Sequence, residues 1–270
     1  MNDNPYQAPT AELVAPVETG PLQIHAPRTV GVGRGVAWWG EGWQLFAKAP
    51  LRFTAMMVVT FLLFGLLSVI PAVGALVATL VLPYLSAGFY WACRRARDGK
   101  SVSFFDLFEP FNNTGRLLLV GVIYMAICLV LEFIGLELLR GMVDEHSLSS
   151  FYSGDFSKVG RVILISGLTI AALSIPLMMA FMYAPLLAHQ HDLSALDAIA
   201  KSFQACLRNI LPFLIWSLVW LVAFVLLGII SVFLLVIPVL GVVLPFLVGL
   251  IILPLMMAHL YIAFEDIFMG

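Results

Sequence analysis

The stretch Pro176-Leu-Met-Met-Ala-Phe-Met-Tyr183 decides the fold, because it returns almost letter for letter as Pro254-Leu-Met-Met-Ala-His-Leu-Tyr261. A weaker copy, Pro83-Tyr-Leu-Ser-Ala-Gly-Phe-Tyr90, keeps the proline, the alanine four residues later and the tyrosine seven residues later. Each copy lies in the second half of a long apolar segment. The pattern therefore predicts three related membrane hairpins, each with a proline in its second span.

The composition excludes a globular protein that folds in water. Of the 270 residues, 61% are hydrophobic and 11% are charged, and the mean hydropathy is +1.02. Soluble domains carry about 25% charged residues, so this chain could not cover its surface with polar groups. The bilayer is its expected solvent, and the formal net charge of −2 gives no support for a nucleic-acid partner.

Six apolar segments have the length of membrane spans. About twenty residues, at about 1.5 Å each, cross a hydrocarbon core of about 30 Å. The predicted spans are 51–70, 73–92, 116–139, 159–185, 211–235 and 242–263. The predicted fold class is an all-α integral membrane protein with six transmembrane helices.

The segment before each hairpin predicts an interfacial amphipathic helix. In 36–49, apolar side chains recur at helical spacing at Val36, Trp39, Trp43 and Phe46. Tryptophans beside a span are typical of the headgroup level. Segments 98–115 and 192–209 repeat the pattern, and each has a helix-start signal, Ser103 with Asp106 and Ser194 with Asp197.

These elements define three units in one transmembrane domain, 35–270. The predicted hairpin units are 36–92, 101–188 and 192–265. Residues 1–34 are rich in proline and predict a disordered cytoplasmic tail, with a docking peptide for a protein partner as the alternative. Gly31-Val-Gly33-Arg-Gly35 lacks the last glycine of a phosphate loop and predicts a flexible joint.

The charges predict the orientation in a bacterial inner membrane. Eleven of the fourteen Lys and Arg residues fall on one side of the predicted spans. The positive-inside rule places that side, with both termini, in the cytoplasm. Two spans per unit make successive units enter from the same side, which predicts parallel repeats and not inverted ones.

Three ionisable residues in or beside the spans are candidate sites. Glu132 and Glu137 are favoured as interfacial acids near the outer end of span three, and a proton or cation site is the alternative. His259 stands where the other two copies carry Phe181 and Gly88. A hydrogen-bonded packing histidine is favoured there, and a proton carrier is the alternative.

The cytoplasmic rim is the second candidate site. Its tryptophans and cations are expected to contact lipid headgroups, and they are Trp39, Trp43, Lys48, Arg94, Arg95, Lys201 and Arg208. His189-Gln-His191-Asp192 has no partner cluster elsewhere, so neither a metal nor a cofactor is expected. The prolines inside the spans predict kinks, with carbonyls that line a transport site as the alternative.

Several apolar motifs resemble a known family. They are Gly42-Trp-Gln-Leu-Phe46 with Pro50, Ala184-Pro-Leu-Leu-Ala, Ser194-Ala-Leu-Asp-Ala-Ile-Ala-Lys-Ser202-Phe and Arg208-Asn-Ile-Leu-Pro-Phe213. Over about 36–265 the chain resembles uncharacterised bacterial six-span inner-membrane proteins, a group distantly similar to the membrane domain of glycerophosphodiester phosphodiesterases. The resemblance implies a fold and a location, and it implies no catalysis because the phosphodiesterase domain is missing.

The sequence thus predicts a non-enzymatic inner-membrane protein that binds lipids or a partner through its cytoplasmic rim. No soluble catalytic motif is present. The alternative is a small-molecule or lipid transporter with a path between the hairpins. An intramembrane enzyme acting on lipid is a third option, which would need clustered ionisable groups. The oligomeric state leaves no signature in the sequence.

Overall fold

The computed structural model describes residues 24–112, 115–142, 157–234 and 238–270. All regular elements in these ranges are helices, and six candidate spans are long and apolar enough to cross a membrane. In chain order the elements are α1 (Arg34–Ala47), α2 (Pro50–Ser68), α3 (Val73–Arg97), a 3₁₀ helix (Phe104–Asn112), α4 (Gly115–Met142), α5 (Ser157–Phe181), α6 (Ala184–Gln190), α7 (Ala195–Arg208), α8 (Ile210–Leu234) and α9 (Pro238–Phe268).

The six predicted spans correspond to α2, α3, α4, α5 with α6, α8 and α9. Four of these spans run beyond their predicted ends, since α3 continues to Arg97, α4 to Met142, α6 to Gln190 and α9 to Phe268. Pro83, Pro176, Pro245 and Pro254 each lie inside a helix that continues past them. Most of the polar loop predicted at 140–158 lies outside the described residues.

The fourth predicted span is two helices and not one. It breaks between Phe181, where α5 ends, and Ala184, where α6 begins. Pro185 explains the break, because a proline ring clashes with the carbonyl four residues earlier, here that of Phe181. The Tyr183 N–H at the break donates to the Ser202 hydroxyl (3.0 Å), and the same hydroxyl donates to the Met179 carbonyl (2.8 Å). Ser202 therefore satisfies the backbone groups that the break frees.

The closely packed core lies toward one end of the helix bundle. The largest fully buried side chains include Trp38, Tyr90, Tyr183, Phe264 and Phe268, which lie near the beginning of α1 or the ends of α3, α5 and α9. The opposite halves of the spans carry most of the exposed large apolar side chains. Such a surface is stable in lipid and not in water.

Each element that precedes a hairpin packs on a different hairpin. Helix α1 packs on α8 and α9, the 3₁₀ helix packs on α3 and α2, and α7 packs on α5 and α6. The first unit therefore rests on the third, the second on the first and the third on the second. This cyclic exchange ties the three hairpins together.

Helices α1 and α7 bury the same face, 160 residues apart. The buried positions are Gly35, Trp38, Gly42, Leu45 and Phe46 in α1, and Ala195, Ala198, Ser202, Ala205 and Cys206 in α7. On the predicted apolar face of α1, Val36 is 57% and Trp43 54% exposed, whereas Phe46 is buried. Small residues decide which face is buried, because they let the helix approach its neighbours closely.

Residues 24–33 of the predicted tail form an N-terminal strap. Its backbone N–H groups at His25 and Arg28 donate to the carbonyls of Phe268 and Ile267, both at 3.0 Å. These carbonyls lie at the C-terminal end of α9, where a helix has no partners of its own for them. The strap is thus ordered against α9, whereas the disorder predicted for residues 1–23 falls outside the described residues.

The predicted interfacial helix within 98–115 is a 3₁₀ helix. Asp106 and Ser103 form its start as the sequence predicted, because the Ser103 N–H donates to Asp106 Oδ2 (2.7 Å) and the Phe105 N–H donates to Ser103 Oγ (3.3 Å). At α7 the start is a serine cap, in which Ser194 Oγ accepts from the Asp197 N–H (3.2 Å). Both start signals are confirmed.

Candidate functional site

The tyrosines that end the three sequence copies converge. The ring centroid of Tyr90 lies 6.4 Å from that of Tyr183 and 6.5 Å from that of Tyr261. Phe264 contacts the last two, at 5.7 and 6.2 Å. All four side chains are buried, and the Tyr90 hydroxyl donates to the Met182 carbonyl (3.0 Å). This tyrosine cluster closes the centre of the bundle near the ends of α3, α5 and α9.

Two of the three boundaries between hairpins are closed by contacts of the spans. Gly121 on α4 lies against Leu80 on α3 so closely that an added Cβ would lie 2.9 Å from the Leu80 carbonyl oxygen. Phe246 on α9 lies beside Phe61 on α2, with ring centroids 6.1 Å apart and the ring planes tilted by 51°. Within the described residues, the equivalent pair α5 and α8 makes at most marginal contact.

A groove of about 620 Å³ lies between the hairpins. Its lining residues come from α3, α4, α5, α6 and α9 and are largely apolar. They include Pro83 and Tyr90 of α3, Leu177 and Phe181 of α5, and Leu260 of α9. Tyr90, Phe181 and Pro185 close the end nearest the tyrosine cluster. Sites of this size accommodate drug-sized or lipid-chain ligands.

Polar groups in the groove come mainly from one face of α4. Tyr124, Cys128 and Glu132 lie four residues apart and therefore share a helix face. Tyr124 and Cys128 hydrogen-bond each other. The hydroxyls of Ser86 and Ser174 donate to carbonyls of their own helices, Pro83 (2.9 Å) and Ile170 (2.8 Å). The Glu132 carboxylate is thus the one strong acceptor in the groove for which no intramolecular hydrogen bond or ion pair is found among the described residues.

Glu132 lies within the predicted thickness of the membrane. Arg116 and Arg140 mark the two ends of α4, 24 residues or about 36 Å apart. A hydrocarbon core of about 30 Å centred between them leaves Glu132 about 6 Å from its middle. The interfacial position predicted for this residue stays a prediction.

Glu137 occupies a different environment. Its carboxylate Oε1 pairs with Arg140 Nη1 at 2.7 Å, one helical turn away, and both side chains are largely exposed. This pair lies about 13 Å from the middle of the same span, at the boundary of the hydrocarbon core. Glu132 and Glu137, predicted together, are therefore separated by the structure into an unpaired groove acid and a paired boundary acid.

His259 is buried in a group of tryptophans. Its Nδ1 accepts from Trp216 Nε1 (3.3 Å), and the Trp39 and Trp220 rings lie 5.0 and 5.6 Å from it. The side chain is fully buried, which matches the favoured prediction of a hydrogen-bonded packing histidine. Trp39 takes part in this packing, 4.3 Å from Trp220, whereas Trp43 remains on the surface.

Most of the predicted rim cations bind other parts of the chain. Lys48 Nζ donates to the Ala96 carbonyl (3.0 Å), Arg95 pairs with Asp106 (3.3 Å), and Arg208 donates to the Pro27 carbonyl (2.8 Å). The Arg94 guanidinium lies 5.8 Å from the centre of the Trp91 ring. Lys201 has no such partner among the described residues. The rim is therefore largely a structural network.

Residues that sequence reasoning missed complete this network. Arg34 pairs with Asp266 (2.6 Å) and Glu41 (2.8 Å), and Trp38 Nε1 donates to Asp266 (2.7 Å). The hydrogen bonds to Glu41 and Asp266 raise the pKa of Arg34 above its ordinary value. Asn209 is fully buried and binds the strap, accepting from the Val30 N–H (2.8 Å) and donating to the Arg28 carbonyl (2.9 Å). Neither role leaves a local motif in the sequence.

His189 and Asp192, which the sequence places close together, bind different partners. His189 Nε2 lies 2.5 Å from Glu109 Oε2, while Asp192 pairs with Arg116. In the part of the chain that the structure describes, no group of three or more His, Cys, Asp or Glu side chains could hold a metal ion.

A comparison with known proteins bears on the class and the location of this protein. The chain is 29% identical over 204 residues to a protein of Burkholderia thailandensis named a probable inner membrane protein, which covers 71% of this chain and 73% of that one. No family model and no solved structure matches. With the six candidate spans, this similarity supports a bacterial multi-pass inner-membrane protein. The similarity to the phosphodiesterase membrane domain has no support in these comparisons.

Proposed function

We propose that this protein binds the apolar chain of a lipid or other amphiphile in the groove between its hairpins. The observation that carries the proposal is the groove itself, about 620 Å³ with a largely apolar lining that includes residues of α3, α4, α5 and α9. An apolar chain can reach such a site from the bilayer without crossing water. The protein is then a lipid-binding, non-enzymatic membrane protein.

A pseudo-threefold arrangement of parallel hairpins underlies the proposal. Three features support it: the converging tyrosines, the cyclic packing of α1, the 3₁₀ helix and α7, and the shared buried face of α1 and α7. In such an arrangement, three equivalent boundaries would close in the same way. The open one is the departure from symmetry, and departures from internal consistency are expected at functional sites.

Transport is the second candidate function. The prolines inside α3, α5 and α9 favour it, because a proline removes a backbone hydrogen bond and allows a span to bend at that point. The tyrosine cluster blocks a path toward the strap end of the bundle in this conformation. Binding is therefore the better-supported function.

A role for the cytoplasmic rim in headgroup contact rests on exposed side chains. Trp43 of α1 and Phe203 of α7 occupy equivalent exposed positions, and Arg52 and Lys201 have no intramolecular partner among the described residues. These groups could seat the two helices at the headgroup level. This contact would anchor the protein and leaves the groove as the selective site.

A groove-filling variant tests the main proposal. In Ser174→Trp a large ring would occupy the groove, whereas Ser217→Trp places the same ring on the exposed surface of α8. Native mass spectrometry of the purified proteins should find co-bound lipid on wild type and Ser217→Trp, and at least about tenfold less on Ser174→Trp. Equal lipid retention by both variants, or none on wild type, would contradict the proposal.

A further inference from the structure

We infer that Glu132 selects the ligand's polar group, and that this group is a protonated amine on an apolar chain. The inference rests on the proposed function, since it names the chemical class of amphiphile that the groove takes. It follows from what the groove offers a ligand: hydrocarbon contact on most sides and one carboxylate.

Geometry makes Glu132 available to a ligand. Its side chain is exposed in the absence of lipid and lines the groove one helical turn beyond Cys128. The five other polar side chains that line the groove have partners within the protein. Ser86 and Ser174 donate to carbonyls of their own helices, Tyr90 donates to the Met182 carbonyl, and Tyr124 and Cys128 bind each other. A ligand that enters the groove therefore meets one charged acceptor that has no partner among the described residues.

The depth of Glu132 determines which ligand group is favoured. A lone carboxylate about 6 Å from the middle of the span is costly in hydrocarbon. A cation brought in by the ligand offsets that cost, because opposite charges attract strongly where water is excluded. An anionic headgroup would add like-charge repulsion, and an uncharged chain would leave the carboxylate unpaired. The geometry thus points to an amine-bearing amphiphile.

The other acid of α4 provides an internal comparison. Glu137 has the same side chain and lies five residues away, but Arg140 already neutralises it at 2.7 Å. No cationic side chain lines the groove with Glu132, because the lining residues that α5 and α9 contribute are all uncharged. The two positions separate the effect of an available charge from the effect of any acid on this helix.

Binding of two chains of equal length tests the inference. Dodecylamine and dodecanol have the same chain and differ in the head group, which is a protonated amine in one and a hydroxyl in the other. Their affinities can be measured by displacement of a fluorescent acyl probe from the full-length protein. Wild type should prefer dodecylamine by at least about tenfold. Glu132→Gln should abolish that preference and keep dodecanol binding, while Glu137→Gln keeps the preference.

The outcomes separate this inference from the proposal it rests on. Equal affinities for both chains in wild type would overturn the amine selectivity and leave chain binding intact. Preservation of the preference in Glu132→Gln would overturn the role of this residue. Failure of wild type to bind either chain would overturn the proposed function. Nanodiscs can then compete with dodecylamine for the protein. Competition by phosphatidylethanolamine nanodiscs, but not by phosphatidylcholine nanodiscs, would identify a membrane aminolipid as the source of the amine. No competition by either would identify a free lipophilic amine.

Discussion

Gly42 on α1 lies directly against His259 on α9. A Cβ built on Gly42 would overlap the imidazole Cδ2 and would lie 2.9 Å from the backbone N and Cα of His259. In two other contacts between a short helix and a span, a small residue also packs against a larger one or against backbone. Gly88 on α3 meets Leu107 of the 3₁₀ helix, and Ser202 on α7 reaches the end of α5 beside Phe181. Because Gly42 has no side chain, α1 can pack directly against α9 of the third hairpin.

Gly42→Ala should destabilise the protein. Overpacking of this kind costs about 1–3 kcal/mol, and the backbone of His259 cannot move aside as a flexible side chain would. Gly40→Ala is the matched control, because nothing lies within 4 Å of its added Cβ and alanine favours a helix. Thermal unfolding in detergent should show a lower midpoint for Gly42→Ala alone. Similar midpoints for the two variants would contradict the contact.

Ser202→Ala should also destabilise the protein, for a different reason. The substitution removes the hydroxyl that serves the Tyr183 N–H and the Met179 carbonyl at the break between α5 and α6. Leaving buried backbone groups unsatisfied costs about 1–3 kcal/mol. Ser217→Ala, which loses a bond to a carbonyl of its own helix on an exposed face, should change stability little. Equal effects on the unfolding midpoint would show that Ser202 has no special role.

The six spans were predictable because hydropathy and length determine them. Tyr90, Tyr183 and Tyr261, which each follow a proline of the sequence motif by seven residues, lie together in the structure, and the threefold repeat itself stays a prediction. The buried face of α1 was not predictable from hydropathy, because Gly35 and Gly42 are buried for their small size. Of the four apolar positions that hydropathy selects, Val36 and Trp43 lie on the surface, and Phe46 is buried.

The groove was only partly predictable. Helical spacing places Tyr124, Cys128 and Glu132 on one face, and an acid inside a span is a candidate site from sequence alone. That α5 and α8 stay apart depends on packing between distant segments, for which a single sequence carries no local signal. The same holds for Asn209, whose partners are about 180 residues earlier in the chain.

Asn209→Ala should release the N-terminal strap. The variant loses the hydrogen bonds to the Val30 N–H and the Arg28 carbonyl, which hold the strap beside α9. Hydrogen exchange of residues 24–33 should become at least about tenfold faster, since buried hydrogen bonds of this type contribute about 1–3 kcal/mol. Gln204→Ala, on the exposed face of α7, is the control. Unchanged exchange in Asn209→Ala would mean that other contacts hold the strap.

The three cysteines should differ in reactivity. Cys128 is partly exposed in the groove, whereas Cys93 and Cys206 are buried. Burial raises the pKa of the Cys206 thiol to about 12, so at pH 9 only about one thiol in a thousand is the reactive thiolate. Because the raised pKa keeps the proton on, a change from pH 7 to pH 9 should not bring Cys206 into reaction. Mass spectrometry after N-ethylmaleimide treatment in detergent should find Cys128 modified first, and faster modification of Cys206 would contradict its burial.

Both termini should lie in the cytoplasm. Eleven of the fourteen cationic side chains lie on the side of the predicted spans that carries the termini, and short basic loops remain on the cytoplasmic side of a bacterial inner membrane. Alkaline phosphatase fused after Gly270 should be inactive, and a fluorescent protein fused there should be fluorescent. Phosphatase inserted at residue 150, within the polar segment between α4 and α5, should be active and serves as the control for insertion. Activity of the fusion after Gly270 alone would reverse the orientation, and activity at both positions would exclude the odd number of spans, three, that separates them.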